Sequence, residues 1–240
     1  MTDDPSRRTS DLSPEKLALL VMRMKKKSAQ APAEGRTAGR IPRRASTGPA
    51  PLSFAQQRLW LLDRLEPGST AYNMPSPARL RGAMDVAALE RALDEIVRRH
   101  ESLRTTFVEE EAEPVQVVAP ATRFRLPMVD LEGLPEQARR DEERRLLEED
   151  KRPYDLVHGP LFRVALVRLG SDDHALLLDM HHIVSDGWSF GVFFRELGVL
   201  YSACREGKPS PLPELPIQFP DFAVWQREWL QGPALGEQVA

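Results

Sequence analysis

The sequence predicts an α+β fold, built as a layered sandwich and not as a Rossmann fold. Helical and strand patterns are interleaved along the chain, but they lack the regular strand–helix–strand alternation of a parallel sheet. Two predicted strands, residues 162–169 and 174–180, are separated only by Gly-Ser-Asp-Asp, and this turn sequence predicts an antiparallel hairpin. The 240 residues are 41% hydrophobic, which is enough for one core with an appended segment.

The first 50 residues differ in charge from the rest of the chain. Of the 33 Lys and Arg residues, 11 lie in residues 1–50, together with only 5 of the 36 Asp and Glu residues. A basic segment on an acidic body is typical of proteins that bind nucleic acid, an anionic membrane or an acidic protein. Because residues 1–50 contain no Phe, Tyr or Trp that could stack on bases, we expect no nucleic-acid partner.

Neither export nor a membrane anchor is predicted. The apolar stretch at residues 17–24 is interrupted by Arg23 and followed by three lysines, so it is too short for a signal peptide or a membrane span. The single cysteine, Cys204, cannot form an internal disulfide. We therefore expect a cytoplasmic protein without a membrane partner.

Residues 1–27 predict a short amphipathic helix. Ser13, Pro14 and Glu15 form a typical helix start, and apolar residues then recur at helical spacing. Isolated helices of roughly 12–15 residues are marginal in water, so this helix needs a surface, either on its own body or on another protein. Residues 28–50, rich in Ala, Pro, Gly and Arg, predict a flexible linker, and the globular domain is expected over residues 51–240.

The body begins with two capped helices. Ser53 is placed to cap a helix that ends before Pro67 and Gly68. Asp85 is placed to cap a second helix with a clear apolar stripe. That helix leads into a strand that is expected to begin near Leu103, where β-branched and aromatic residues follow.

The second half of the body combines the hairpin with three more helical patterns. Charged residues at 136–151 predict a solvated helix before the hairpin, and a polar loop at 181–187 leads into a helix over about 188–205. Five prolines in residues 209–220 predict a segment without regular structure. Aromatic residues then resume a helical spacing, at Phe222, Trp225 and Trp229.

The polar loop contains the most unusual group of residues in the chain, His181, His182, Asp186 and Gly187. A histidine there can take a proton from an attacking amine, hydroxyl or thiol, an aspartate can brace the loop, and glycine permits an unusual backbone angle. A metal site is a second interpretation. However, adjacent residues of an extended chain point to opposite sides, and no H-E-x-x-H or C-x-x-C completes a ligand set. Both histidines could also be ordinary polar residues at a strand end.

The segment from Met180 to Ser189 resembles the His-His-x-x-x-Asp-Gly signature of nonribosomal peptide synthetase condensation domains and of relatives such as chloramphenicol acetyltransferase. Residues 53–62 and 99–107 resemble the first two condensation-domain motifs, in the same order. The resemblance implies a chloramphenicol acetyltransferase-like layered sandwich, with a mixed sheet flanked by helices. It also implies that residues 51–240 form the N-terminal lobe of a two-lobed domain, and that this chain, without the C-terminal lobe, is inactive or nearly so alone.

The resemblance implies a role for each residue of the loop. His182 would face the tunnel in which a donor thioester meets an acceptor amine, either as a general base or as a hydrogen-bond partner that orients the amine. Gly187 would offer its backbone N–H to the developing oxyanion. Asp186 would hold the loop through an ion pair, for which Arg58 is the expected partner. His181 would be mainly structural, and neither a bound cofactor, a metal nor a covalent enzyme intermediate is implied.

The resemblance also implies the substrates and partners. Both substrates would arrive as thioesters on the 4′-phosphopantetheine arms of donor and acceptor peptidyl carrier proteins. The wording of the motifs is most similar to the subtype that joins an L-configured donor to an L-amino acid. Leu12 to Lys16 resembles the start of synthetase subunits, which makes residues 1–27 a candidate docking element for an upstream subunit. Two other functions stay open: a docking or scaffold module without catalysis, and an acyltransferase that uses CoA thioesters.

Overall fold

The computed structural model describes residues 41–231, so the helix predicted within residues 1–27 lies outside the described residues. The strands are β1 (Ala50–Pro51), β2 (Asn73–Pro75), β3 (Ala78–Arg81), β4 (Thr105–Glu110), β5 (Glu113–Val118), β6 (Met128–Asp130), β7 (Phe162–Gly170) and β8 (Asp173–His181). The α-helices are α1 (Phe54–Leu65), α2 (Val86–Arg99), α3 (Glu136–Asp150), α4 (Gly187–Arg205) and α5 (Phe219–Gln231). No helix in this range is long and apolar enough to cross a membrane.

Strand β8 lies inside the larger, five-stranded sheet. It pairs antiparallel with β7 on one side and with β2 and β3 on the other. The hairpin predicted from the turn sequence is confirmed, with Phe162 opposite Met180. Strand β6 adds to β7 in parallel, which makes the sheet mixed. Strands β1, β5 and β4 form a second, three-stranded sheet.

The larger sheet lies between two layers of helices. Successive side chains of a strand point to opposite faces, and β8 uses both. Leu176, Leu178 and Met180 belong to a buried cluster with apolar residues of α2 and α4. Ala175 and Leu177 pack on the opposite side, in a cluster that α3 covers. The predicted layered sandwich is therefore confirmed, and its central strand ends at the histidine pair.

The two helix starts that capping residues predict within the described chain are confirmed. The Ser53 hydroxyl accepts the Gln56 backbone N–H, and the Gln56 side chain accepts the Ser53 N–H in return. Asp85 caps α2 through the backbone N–H of Ala88. The strand expected near Leu103 begins two residues later, because Glu101–Arg104 form a turn of 3₁₀ helix first.

The body begins earlier than the predicted boundary at residue 51. Residues 41–50, expected to belong to the linker, pack with the remainder of the described chain. The Arg44 guanidinium lies 2.9 Å from a carboxylate oxygen of Glu101 and 2.9 Å from one of Asp221. These side chains are largely buried, so the ion pairs join the start of the body to α5. Composition alone predicts that Arg44 is a solvated linker residue.

Candidate active site

Strand β8 places the two histidines on opposite sides of the backbone. His181 is the last residue of the strand and is 3% exposed, whereas the side chain of His182 is exposed. The backbone N–H of His182 donates to the Tyr72 carbonyl at 2.9 Å, which continues the pairing of β8 with β2 by one residue. The two rings therefore cannot meet at one ion. Within residues 41–231, no three His, Cys, Asp or Glu side chains converge in a metal-binding cluster.

His181 organises the turn from the inside. Its Nδ1 accepts the backbone N–H of Ile183 at 3.1 Å, and its carbonyl oxygen accepts the Ser185 hydroxyl at 3.2 Å. The ring of Tyr154 contacts it edge-on, with 5.8 Å between ring centroids. Burial lowers the pKa of His181 to about 4, so the ring is neutral at physiological pH. The geometry supports the structural role that was expected for it.

Acidification is expected to destabilise the fold through His181. Its pKa is about 4 in the folded chain against 6.5 ordinarily, so below pH 6.5 the unfolded chain binds more protons and stability falls with pH. The loss amounts to roughly 2 kcal/mol between pH 7 and pH 5, and is complete near the folded pKa. Urea unfolding of the 240-residue chain at the two pH values measures it. His181→Asn should reduce the loss, whereas the control His158→Asn, at an exposed histidine, should not; equal losses in all three proteins would contradict the prediction.

The hydrogen bonding of His182 defines which of its two ring nitrogens carries the proton. Its Nδ1 lies 2.8 Å from the carbonyl oxygen of Ser185. A carbonyl oxygen can only accept, so Nδ1 carries the proton when the ring is neutral. The lone pair is then on Nε2, which is the arrangement that a general base or a hydrogen-bond acceptor requires.

Asp186 braces the loop, but not through the partner that was expected. Its carboxylate caps α4, accepting the backbone N–H of Ser189 at 2.8 Å and the Ser189 hydroxyl at 2.6 Å. The hydrogen bond from the Ser189 hydroxyl is the main cause that lowers the pKa of Asp186. Among the ion pairs of residues 41–231 there is none between Asp186 and Arg58, although both side chains line the same groove. The capped helix, and not an ion pair, holds this end of the loop.

Gly187 is the first residue of α4, and its conformation differs from the expectation. Its φ is not among the positive values found for glycines in the described chain, so the backbone does not require glycine there. A Cβ at this position would have no other heavy atom within 4 Å. Nothing in the structure explains the glycine sterically. Its N–H belongs to the first turn of α4, where the helix dipole is positive and backbone N–H groups lack intrahelical partners.

The three sequence motifs meet in one groove of about 830 Å³. Ser53, Gln56 and Leu59 come from the first motif, and Ser102 comes from the second. The third motif contributes a continuous stretch, residues 182–186, and Ser189. The Gln56 side chain links two of the motifs directly by donating to the Ile183 carbonyl at 3.3 Å.

The sequence did not predict that α5 forms a wall of this groove. Phe219, Phe222 and Gln226 all line it. The Gln226 side chain accepts the backbone N–H of Phe54 at 3.1 Å, and the guanidinium of Arg227 lies 4.2 Å from the centroid of the Phe54 ring. The helical spacing of aromatic residues was visible in the sequence, but nothing there indicated which surface the helix covers.

Comparison with known proteins decides what this arrangement represents. The sequence model of the family described as "Condensation domain" matches residues 46–240. The chain belongs to the condensation domain family. The family resemblance is thereby confirmed, and the groove is the part of this condensation domain where residues 53–59, Ser102 and residues 182–189 come together.

Proteins similar to this condensation domain include large peptide synthetases. One of the linear gramicidin synthase subunits of Brevibacillus parabrevis is 51% identical over 191 residues, which cover 79% of this chain and 2% of that protein. Phosphinothricin tripeptide synthetase PhsC of Streptomyces viridochromogenes is 44% identical over 237 residues, covering 98% of this chain and 21% of that protein. The chain thus spans a small part of the relatives that it matches.

Two solved structures share the fold of this condensation domain. The X-domain from teicoplanin biosynthesis is 34% identical with a TM-score of 0.71, covering 80% of this chain and 41% of that one. The first condensation domain of the CDA synthetase is 27% identical with a TM-score of 0.68, covering 78% of this chain and 48% of that one. The predicted fold class is confirmed, and the chain spans less than half the length of these neighbours.

Proposed function

We propose that this condensation domain forms an amide bond between two substrates that are tethered to carrier proteins. The donor is an acyl or peptidyl thioester, and the acceptor is an aminoacyl thioester, each on the 4′-phosphopantetheine arm of its own peptidyl carrier protein. The amine attacks the thioester carbonyl, the C–N bond forms, and the donor thiol leaves with the proton that the amine gives up. The observation that carries the proposal is the exposed His182, fixed by Ser185 at the groove where three motifs meet.

The state of His182 suits attack by an amine. With Nδ1–H donated to the Ser185 carbonyl, Nε2 can accept a hydrogen bond from the acceptor amine and orient its lone pair toward the carbonyl carbon. The same nitrogen can take the proton as the C–N bond forms. Ser185 is itself held by its bond to the His181 carbonyl. The ring orientation therefore depends on the turn and not on the substrate.

The N-terminus of α4 suits the charge that develops on the thioester oxygen. Gly187 is its first residue, and its backbone N–H is the proposed donor to the oxyanion. The Asp186 carboxylate acts indirectly, because it caps α4 and so fixes the direction of the N–H groups in the first turn. We assign Arg58 to the groove wall rather than to a pair with Asp186.

Condensation assays with loaded carriers test the proposal. Because the chain spans less than half of its solved relatives, the assay uses a protein that carries the complete domain length. We expect amide product from an L-configured donor and an L-aminoacyl acceptor, much less from a D-configured donor, and none when CoA thioesters replace the loaded carriers. Absence of product from several correctly loaded pairs would overturn the proposal. Equal rates with CoA thioesters would assign the chain to a CoA-dependent acyltransferase.

A second candidate function is the recruitment of another protein. It is favoured by the solved complex of the X-domain and OxyB from teicoplanin biosynthesis, whose X-domain is 35% identical with a TM-score of 0.72, covering 84% of this chain. Under this alternative the lobe is a scaffold, and the substitution of His182 leaves partner binding unchanged. Under either function, we propose residues 1–27 as the docking element for an upstream subunit, on the basis of their resemblance and basic charge.

A further inference from the structure

A second, smaller cavity of about 220 Å³ lies beside the groove. Four residues line both spaces, namely Ser102, Val184, Ser185 and Ser189. The cavity therefore opens next to the turn that holds His182. Its size is below the roughly 300–1,000 Å³ of pockets that enclose a whole small ligand, and it suits one side chain of a larger substrate.

The walls of this side pocket are mainly apolar and come from two helices and the central strand. Ile96 of α2, Met180 of β8 and Val192 and Phe193 of α4 supply most of them. Met180 and Phe193 are buried, whereas Val192 is half-buried. A substrate group that enters the pocket would leave water for an apolar surface, which favours an apolar or aromatic side chain.

One histidine, His100, gives the pocket a polar end. Its Nε2 donates to the Glu196 carboxylate at 2.8 Å. The same carboxylate oxygen accepts Arg99 Nε at 3.1 Å, and the Arg99 and Glu196 side chains are almost fully buried. Because an ionised carboxylate can only accept a hydrogen bond, Nε2 carries the proton of a neutral ring and Nδ1 is left as an acceptor. Within residues 41–231, Nδ1 has no hydrogen-bond partner and is not among the fully buried polar atoms.

We propose that this pocket binds the amino-acid side chain of one of the two substrates, and that His100 selects a hydrogen-bond donor at its tip. The favoured class is an apolar or aromatic side chain that ends in a donor, such as a phenol. His100 is a specificity-determining residue, and Glu196 with Arg99 positions it. The inference rests on the proposed function, because it assumes aminoacyl substrates in the groove. Donor and acceptor side chains share this chemistry, and the experiment distinguishes between them.

A substrate series tests the pocket. The complete-length domain is assayed with glycyl, leucyl, phenylalanyl and tyrosyl groups, first varied on the acceptor carrier and then on the donor carrier. We expect a preference for tyrosyl over phenylalanyl of roughly fivefold in one series, the effect of one hydrogen bond. His100→Phe, which keeps an aromatic ring but removes the acceptor nitrogen, should abolish that preference, while Glu196 keeps its hydrogen bond from Arg99.

Two valine-to-phenylalanine variants of α4 form a matched pair, one that fills the pocket and one that lies outside it. Val192→Phe should lower turnover of the large side chains of that series by at least about tenfold, because a misfit of even one methylene in an apolar pocket costs roughly 10–200-fold, and it should leave glycyl unchanged. Val199→Phe, on an exposed position of the same helix, should change neither. Equal losses for all substrates, or no loss for any, would overturn the pocket assignment.

A binding measurement separates failure of the pocket from failure of the proposed function. The 240-residue chain is titrated with p-cresol and with toluene, and the methyl NMR signal of Met180 reports occupancy. We expect both probes to shift the signal, p-cresol to bind roughly fivefold more tightly, His100→Phe to equalise their affinities and Val192→Phe to remove both shifts. No shift with either probe overturns the pocket. Binding in a protein that forms no amide would contradict only the proposed condensation.

Discussion

Replacement of His182 by alanine is expected to lower amide formation by roughly 10²–10⁴-fold, the range for loss of a positioned proton-transfer group. The variant loses both the acceptor that orients the amine and the base that takes its proton. Binding of the loaded carriers depends on other surfaces, so the loss should fall on the rate at saturation. The measurement is single-turnover amide formation by the complete-length domain with both carriers loaded.

The same substitution is expected to leave the fold intact. The His182 side chain is exposed, and within residues 41–231 its hydrogen bond goes to the Ser185 carbonyl, which solvent can replace. The free energy of unfolding, measured by thermal unfolding, should therefore change by no more than about 0.5 kcal/mol, as for an ordinary surface substitution. His158→Ala is the matched control, because His158 is an exposed histidine paired with Asp155 outside the groove. A rate that falls less than tenfold in His182→Ala would show that this histidine neither positions nor deprotonates the amine.

Replacement of Glu196 by alanine is expected to cost about 3–5 kcal/mol of unfolding free energy. Glu196 joins α4 to the end of α2, and its partner Arg99 is 5% exposed. Removal of the carboxylate leaves a guanidinium in the interior without its counter-charge, which costs far more than the ion pair itself contributes. A loss of this size is a large part of the stability of an ordinary domain.

The exposed ion pair of the neighbouring residue Arg98 with Glu95 is the control. Arg98 pairs with Glu95 at 2.6 Å, a shorter distance than the 3.1 Å between Arg99 and Glu196, but the Arg98 side chain is 46% exposed. Glu95→Ala should cost only about 0–1 kcal/mol, because water screens and replaces a surface pair. Urea unfolding of both variants of the 240-residue chain makes the comparison. Equal costs would show that burial does not govern these two ion pairs.

The sequence predicted the parts of the fold that depend on local signals. The starts of α1 and α2 follow from Ser53 and Asp85, whose side chains bond to backbone groups three residues away. The β7–β8 hairpin follows from its turn. Strands β1, β2, β3 and β6 are two to four residues long and could not be predicted, since so few residues show no periodicity and their pairing partners lie far along the chain.

The candidate site also has features that the sequence predicts and features that it does not. The opposite directions of His181 and His182 follow from strand geometry. An aspartate before a helical segment is typical of a helix cap, so the bond of Asp186 to Ser189 could have been predicted; the family resemblance implied an ion pair with Arg58 instead. The contacts of α5 with the groove and of His100 with Glu196 were not readable, because sequence separations of 96 residues or more carry no local signal.

The double ion pair of Arg44 has a consequence for biosynthesis. Arg44 and Asp221 are 177 residues apart, so at roughly 5–20 residues per second about 10–35 s pass between their syntheses on the ribosome. Until then Glu101 is the one ion-pair partner of Arg44 that exists among the described residues, and the aromatic wall of the groove from Phe219 and Phe222 is absent. The nascent chain can thus assemble its hairpin and histidine turn first, and it completes the groove only as the last described helix emerges.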